Sequence, residues 1–260
     1  MLFLRSLLFN ILFIAWTALV SITAFPALIL PPWTAHRVAR LWNIGTIFLL
    51  KWVVGMTYDI RGRENVPADG RYIVAAKHQS AWETLVLHFL LHEPVFVLKI
   101  ELLRIPFVGW LMAKAGNIGV DRAKGASALR YMIDKAKERL DQGRPIIIFP
   151  EGTRTPPGTT QKLHPGVAML YENTDAPVIP VALNSGLYWR RNAFIKRPGT
   201  VLVQFMPPMP RDLKKRDFLN DLHARLNAET DKLIEEAGGL PEDLRLQNQA
   251  DSAPVDNGDN

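Results

Sequence analysis

The chain has 260 residues, 48% hydrophobic and 22% charged, which is enough for one large domain and an additional membrane element. It contains no cysteine, so disulfides, thiolate catalysis and cysteine-ligated metals are excluded. The tail from Gly239 carries five acids and one base, and the formal net charge of +6 therefore leaves +10 on the rest. Such a basic body favours membrane phospholipid or a phosphorylated substrate as its partner. No nucleic-acid partner is expected, because the sequence lacks the basic–aromatic motifs of the known binding modules.

The first 57 residues have the composition of a membrane-associated element. Leu7 to Leu30 is almost uncharged, approaches the length that spans a bilayer, and lacks the cleavage pattern of a removed signal peptide. The second apolar segment, Ala35 to Met56, contains charges that make another full span costly, and tryptophans that suit the membrane interface. Two arrangements stay open: one span followed by an interfacial helix, or a helical hairpin inserted into one leaflet. A buried helix of a soluble core is disfavoured by the uncharged length.

Residues 58–238 alternate between strand and helix patterns. Six apolar runs predict strands, at Arg71–Ala76, Val95–Leu98, Asn117–Val120, Pro145–Phe149, Val178–Leu183 and Thr200–Phe205. The clearest amphipathic helices are Ser127–Gln142 and Asp212–Ala237. The alternation predicts an α/β domain with a mostly parallel sheet and helices on both faces. The polar, acidic tail at 239–260 is expected to be disordered.

A histidine and a carboxylate meet where the first predicted strand passes into a helix. Lys77–Thr84 lies between that strand and the apolar run Leu85–Leu91, which is typical of a buried helix. In a continuous helix, residues five apart are rotated by about 140°, so His78 and Glu83 converge only if His78 lies in the turn. A carboxylate on one imidazole nitrogen then leaves the other nitrogen as a general base. The alternative is that His78 caps the helix and Glu83 favours its N-terminal dipole.

Two further blocks place ligand-binding residue types at strand ends. Phe149–Thr155 contains Gly152, which lets the backbone approach a ligand closely, and Arg154, whose planar guanidinium suits phosphate oxygens. Val178–Ser185 is a strand with Pro180 inside it, which indicates an edge strand or a bend. Because ligands of open α/β sheets bind at the carboxyl ends of the strands, these blocks are expected to lie near His78.

Two more basic residues follow predicted strands. Arg122 comes just after one strand and Lys99 closes another, so both are candidates for the same ligand site. The alternative is that each forms only a local ion pair, Arg122 with Asp121 and Lys99 with Glu101.

Taken together and in order, four blocks resemble the four motifs of the glycerolipid acyltransferases, and most closely those of the bacterial 1-acylglycerol-3-phosphate acyltransferases. They are Lys77–Thr84, Gly116–Arg122, Phe149–Thr155 and Val178–Ser185. The resemblance extends over roughly Val74 to Ser185 and the hydrophobic N-terminus. The ordered set is highly specific, whereas the first block alone is not.

The resemblance also implies roles for individual residues. It makes His78 and Glu83 catalytic, and it assigns the substrate phosphate to Lys99, Arg122, Glu151, Gly152 and Arg154. The chain has Glu83 where the family's first motif has aspartate. The added methylene keeps the charge but changes the reach of the carboxylate.

The implied reaction moves an acyl group from an acyl thioester to the sn-2 hydroxyl of 1-acylglycerol 3-phosphate (lysophosphatidate), forming phosphatidic acid for phospholipid biosynthesis. Coenzyme A or acyl carrier protein would carry the acyl group as co-substrate, and neither a cofactor nor a metal is expected. The expected location is the cell inner membrane, with membrane phospholipid as a partner and the active site facing the cytoplasm.

Four alternatives stay open at this stage. In the first, the protein is an acyltransferase whose acceptor is glycerol 3-phosphate or another lysolipid. In the second, it binds lipid without catalysis. A lipid hydrolase would need Ser80 as nucleophile, but there is no Gly-x-Ser-x-Gly elbow. A metal enzyme would use His88 and His92, which have no obvious third ligand.

Overall fold

Seven strands form one sheet in the order β1-β7-β6-β2-β5-β3-β4. The computed structural model describes residues 1–252. Only β6 and β7 pair antiparallel, and the other neighbours run parallel, so the predicted mostly parallel α/β sheet is confirmed. The strands are β1 Met56–Arg61, β2 Ile73–Ala76, β3 Val95–Lys99, β4 Ile118–Val120, β5 Ile146–Ile148, β6 Val178–Leu183 and β7 Gly199–Phe205.

Helices cover both faces of this sheet. Alternate strand residues point to opposite faces, so Ile73 and Ile146 pack with helices α5, α6 and α7, whereas Val74 and Ile147 pack with α3 and the N-terminal helices. Each apolar side chain buried in this way contributes roughly 1.5–3 kcal/mol. The helices that follow the N-terminal pair are α3 Trp82–Leu90, α4 Val108–Lys114, α5 Ala126–Asp141, α6 Gly166–Asn173, α7 Lys215–Glu236 and α8 Glu242–Ser252.

Two N-terminal helices, α1 (Leu2–Thr23) and α2 (Trp33–Leu49), pack against each other. Each of two tryptophan indoles bonds across the pair: Trp16 donates to the carbonyl of Trp42 at 3.0 Å, and Trp42 donates to the hydroxyl of Thr17 at 3.0 Å. Within the described residues, α1 is the one helix whose length and mean hydropathy of 1.9 match those of a membrane span. Helix α1 begins at Leu2, whereas the sequence analysis placed the beginning of the apolar segment at Leu7.

The N-terminal helices are also joined to the α/β domain. Phe9 of α1 is fully buried in the same core cluster as Val74 of β2. Ser6 of α1 bonds the backbone of Lys196, accepting from its N–H at 3.0 Å and donating to its carbonyl at 3.3 Å. The predicted domain boundaries at residues 57/58 and 238/239 stay predictions. The hydrophobic core is continuous across the first of them.

Strand β1 was absent from the sequence prediction. Its apolar residues Met56, Tyr58 and Ile60 alternate with polar ones, but only Gly55, in the left-handed region at φ 83°, separates the strand from the preceding helical turn. The strand pairs with β7 along its whole length at the edge of the sheet.

Pro180 lies in β6, an interior strand, and not in an edge strand. Its carbonyl accepts the N–H of Met206, beyond the point where the ladder with β7 starts at Val181 and Phe205. The N–H that proline lacks would face β7 at this same point. Because the point lies outside the ladder, Pro180 removes no hydrogen bond between β6 and β7.

Part of the tail predicted to be disordered is helical. In α8, Leu244 is buried against Leu187 and Ile234, an apolar contact that the polar composition of the tail conceals. Residues 253–260 of the predicted tail lie outside the described residues.

Candidate active site

His78 and Glu83 converge at the turn between β2 and α3. The imidazole Nδ1 of His78 lies 2.8 Å from Oε1 of Glu83. The N-cap position of α3 is Ala81, so His78 does not cap the helix. The turn places the histidine outside the helix and the glutamate in the first helical turn, and this arrangement lets their side chains meet.

The carboxylate of Glu83 is fully buried and is held at both oxygens. Oε1 also accepts the backbone N–H groups of Gln79 and Ser80, at 2.8 and 2.7 Å. Oε2 accepts the hydroxyl of Ser185, which follows β6, at 2.7 Å. Because a carboxylate only accepts, the proton of a neutral His78 lies on Nδ1, and Nε2 keeps its lone pair.

The ring of His78 is fixed by stacking as well. It lies on the ring of Phe149 with a centroid distance of 4.0 Å and an interplanar angle of 18°. The side chain is 14% exposed and lines a cavity of about 680 Å³. Nε2 has no hydrogen-bond partner among the described residues, so it is free for a ligand.

The cavity has mostly apolar walls that come from both parts of the chain. It reaches from His78 to the N-terminal helices, whose contribution to the site the sequence did not reveal. Wall residues include Val20 and Trp42 from α1 and α2, Leu85 from α3, Leu98 from β3 and Leu111 from α4.

Four basic residues line the same cavity. Three of them, Lys99, Arg122 and Arg154, follow strands as the strand-end argument predicted, and the fourth is Arg191. Among the described residues, no carboxylate lies within 4.0 Å of any of them. Arg122 instead donates to the carbonyl of Gly152 at 3.1 Å. The local ion pairs of Arg122 with Asp121 and of Lys99 with Glu101 do not form, and the positive charges of the cavity stay available to an anion.

Gly152 allows this crowded turn to form. Its φ is +67°, and a Cβ there would lie 2.6 Å from Cδ2 of His164 and 2.9 Å from Nη2 of Arg122. Burial, and secondarily the charge of Arg122, lower the pKa of His164. This imidazole is therefore neutral near pH 7, and the positive charge of the site comes from arginine and lysine.

Comparisons with known proteins agree with this geometry. The family model described as Acyltransferase matches residues 57–184. A 1-acyl-sn-glycerol-3-phosphate acyltransferase of Pseudomonas aeruginosa is 37% identical over 227 residues, covering 86% of this chain and 88% of the relative. A protein of the same name from Limnanthes alba is 30% identical over 213 residues, covering 78% of this chain and 75% of the relative. The chain belongs to the 1-acyl-sn-glycerol-3-phosphate acyltransferases. The family predicted from the four sequence blocks is thereby confirmed.

A solved structure shares the fold of this acyltransferase. The crystal structure of the 1-acyl-sn-glycerophosphate (LPA) acyltransferase, PlsC, from Thermotoga maritima superimposes with a TM-score of 0.73. It covers 90% of this chain and 98% of its own at 21% sequence identity. Because the uncovered tenth of the chain is shorter than the 57-residue N-terminal region, the likeness extends beyond the α/β domain into that region.

One predicted phosphate ligand of the acyltransferase lies elsewhere. Glu151 is 1% exposed and is absent from the walls of both cavities. It pairs with Lys77, whose Nζ lies 2.6 Å from Oε1. The sequence grouped Glu151 with Gly152 and Arg154, but the turn points the glutamate into the interior.

A second cavity, of about 230 Å³, adjoins the turn between β2 and α3 of the acyltransferase. Its walls include Arg154, Arg190 and Arg191 together with Gln79. The sequence did not single out Arg190 and Arg191, because they lie in a loop outside the four blocks.

The metal and hydrolase alternatives find no geometric support in this acyltransferase. Within residues 1–252, no three histidine, aspartate or glutamate side chains are grouped to hold a metal ion. Burial, and then the neighbouring His36, lower the pKa of His88 to about 4. The hydroxyl of Ser80 is buried and accepts the N–H of Trp82 at 3.1 Å, and among the described residues it forms no hydrogen bond with His78.

Proposed function

We propose that the protein transfers an acyl group from an acyl thioester to the sn-2 hydroxyl of 1-acylglycerol 3-phosphate, and so forms phosphatidic acid. The observation that carries this proposal is the His78–Glu83 pair at the end of a mostly apolar cavity that is also lined by four basic residues. The family to which the chain belongs supports the same reaction.

The chemistry requires one general base. Nε2 of His78 removes the proton of the acceptor hydroxyl while the oxygen attacks the thioester carbonyl. Glu83 stabilises the imidazolium, which returns the proton to the departing thiolate when the tetrahedral intermediate collapses. Such acid–base catalysis typically contributes about 10²- to 10⁴-fold, and positioning supplies much of the rest.

Three of the four cations orient the acceptor. Lys99, Arg122 and Arg154 would bind its phosphate group and so present the nearby hydroxyl to His78. A charge-assisted hydrogen bond contributes roughly 1.5–3 kcal/mol, so Arg154→Ala should raise the KM for lysophosphatidate about 10- to 150-fold. Arg130→Ala, an exposed arginine on α5, is the matched control and should leave this KM unchanged.

The donor is the less defined substrate. Coenzyme A and acyl carrier protein both present the thioester on a phosphorylated pantetheine arm. Arg190 lines the second cavity and not the first, so it is an available cation for that phosphate. Arg190→Gln should raise the KM for the thioester donor and leave the KM for lysophosphatidate unchanged.

The site of action in this proposal is the cytoplasmic face of the cell inner membrane. The support is the apolar helix α1, the basic body of the chain and the cytoplasmic origin of acyl thioesters. Membrane phospholipid is then the partner of the exposed apolar surface.

A radiolabelled acyl-transfer assay of purified protein tests the proposal. The acceptors are lysophosphatidate, glycerol 3-phosphate and other lysolipids, each with acyl-coenzyme A and acyl carrier protein donors. Lysophosphatidate should be the preferred acceptor, and His78→Ala should abolish transfer without unfolding the protein. His92→Ala, an exposed histidine, is the control. A preference for another acceptor, or full activity of His78→Ala, would contradict the proposal.

A further inference from the structure

We propose that Glu151 acts as a positioning residue, which holds the backbone of His78 through a buried ion pair with Lys77 that helix α7 completes. The inference rests on the proposed role of His78 as general base. It adds a positioning role for Glu151, Lys77 and helix α7. It gives the third sequence block two tasks: Arg154 faces the substrate cavity, and Glu151 faces the catalytic histidine.

The first step is what the Glu151 carboxylate contacts. Oε2 accepts the backbone N–H of His78 at 2.9 Å. The side chain is 1% exposed and lines neither cavity, so a bound phosphate has no access to it. A carboxylate is also an anion that only accepts hydrogen bonds, and it would repel a phosphate instead of binding it.

The second step is how the charge of Glu151 is kept in place. The ammonium of Lys77, itself 3% exposed, lies 2.6 Å from Oε1, in an ion pair whose angles are not those of a hydrogen bond. The same ammonium donates to Oδ1 of Asn227 on α7 at 2.8 Å. The amide of Asn227 donates in turn to the carbonyl of His223 at 2.9 Å, which directs its oxygen towards Lys77.

The third step is the cost of such a pair. Two buried charges gain little net stability from each other, because their desolvation offsets the attraction. A hydrophobic pair of similar volume would serve stability as well, so stability alone does not account for these charges. What they add here is a fixed acceptor for one backbone N–H, that of the catalytic histidine.

The third block also holds the other side of the same residue. Thr155 donates its N–H to the carbonyl of His78 at 2.7 Å, and Phe149 stacks on the imidazole. The backbone donor, the backbone acceptor and the ring of His78 are therefore all in contact with one segment. Because a displacement of about 1 Å in a catalytic group can reduce the rate by around 10², this segment determines how well Nε2 is aimed.

Steady-state kinetics of a charge-pair cycle tests the proposal. Glu151→Gln keeps an oxygen for the His78 N–H but leaves Lys77 unpaired, and Lys77→Met leaves Glu151 unpaired. Each single variant should lower kcat at least tenfold with an unchanged KM for lysophosphatidate. The double variant removes both charges of the Lys77–Glu151 pair and keeps the amide oxygen, so its kcat should recover to within a few-fold of the wild type.

Asn227→Ala is the variant for the case in which the pair variants fail to fold, because Asn227 is only half-buried and both charges remain. It should lower kcat several-fold at constant KM. A higher KM for lysophosphatidate in Glu151→Gln with unchanged kcat would overturn the proposal in favour of phosphate binding. A double variant no better than the worse single variant, or an unchanged kcat in Asn227→Ala, would also overturn it. Failure of the proposed function is separate, because it appears as transfer activity in His78→Ala.

Discussion

The carboxylate of Glu83 on α3 joins the turn that contains His78 to the segment after β6. It contacts the imidazole of His78, the backbone of the turn and the hydroxyl of Ser185, which follows β6. A shorter side chain cannot keep its contacts at both oxygens. We therefore predict that Glu83→Asp lowers kcat about 10- to 150-fold, the equivalent of one hydrogen bond to a charged group. Kinetics with lysophosphatidate measures this, and KM should be unchanged.

Ser185→Ala tests whether Glu83→Asp lowers kcat because the shorter carboxylate no longer reaches the hydroxyl of Ser185. If the shorter carboxylate loses Ser185, removing the hydroxyl should lower kcat in the wild type but have little further effect in the Glu83→Asp background. Additive losses in the double variant would show that the two residues act independently. Full activity of Glu83→Asp would mean that the turn moves to meet the shorter side chain.

At this scale, the sequence predicted the pairing of His78 with Glu83 because both lie in one turn with a fixed spacing. It did not predict Ser185 as the third member, because 102 residues separate it from Glu83 and only the sheet brings them together. The inward orientation of Glu151 was also hidden. A short sequence motif identifies the residues of a turn. The directions in which their side chains point depend on the backbone angles of that turn.

Among the elements, the turn after β5 is the one whose backbone the site depends on most directly. Gly152→Ala would place a Cβ against His164 and against the guanidinium of Arg122, in addition to the unfavourable φ of +67°. We predict that this variant raises the KM for lysophosphatidate at least tenfold, because Arg122 is displaced. Steady-state kinetics and the thermal unfolding midpoint measure the two effects.

Gly238→Ala is the matched control for the backbone effect alone. Its φ is +97°, and nothing lies within 4 Å of the added Cβ. The left-handed backbone costs about 1–2 kcal/mol, so the unfolding midpoint should fall while KM stays constant. A Gly152→Ala protein that loses stability to the same extent with normal KM would show that the turn does not position Arg122.

The six predicted strands are all present, because each is an apolar run bounded by polar or turn residues, and β6 has the predicted bounds of Val178–Leu183. Strand β1 and helix α8 were missed for opposite reasons. The first is a half-polar edge strand directly after an apolar helix, and the second is a polar helix held by a few leucines. Both depend on partners distant in sequence, namely β7 for the strand and the Leu187 region for the helix.

For the molecule as a whole, the exposed apolar residues lie on both parts of the chain. Ile11 and Ile14 of α1 are 55% and 65% exposed, and Ile105 and Trp110, at α4, are 45% and 48% exposed. The α4 region contacts the segment that follows α1, where Lys114 donates to the carbonyl of Leu28 at 2.6 Å and the ring centroids of Phe25 and Phe107 lie 6.1 Å apart. The α/β domain therefore adds exposed apolar residues beside the end of α1.

This surface adjoins the cavity, since α1, α2 and α4 form walls of the cavity as well. A lysolipid bound there can keep its acyl chain close to the bilayer while its phosphate reaches Arg154. Extraction from the bilayer would otherwise cost about 0.8 kcal/mol per CH₂. We therefore predict that Ile11→Asp/Ile14→Asp and Ile105→Asp/Trp110→Asp each weaken binding to phosphatidylglycerol-containing vesicles at least tenfold.

The two double variants should lose activity on vesicle-embedded lysophosphatidate in proportion to the lost binding. They should still act on a short-chain, monomeric lysophosphatidate, because none of the four side chains lines the cavity. Tyr131→Asp is the control: this residue is 49% exposed on α5, on the opposite face of the sheet, and its replacement should change neither measurement. If only the α1 variant lost vesicle binding, α1 would act as an anchor and the α4 region would not touch lipid. If neither variant did, the chemistry would have to proceed on lysolipid already in solution, and the apolar surface would need another partner.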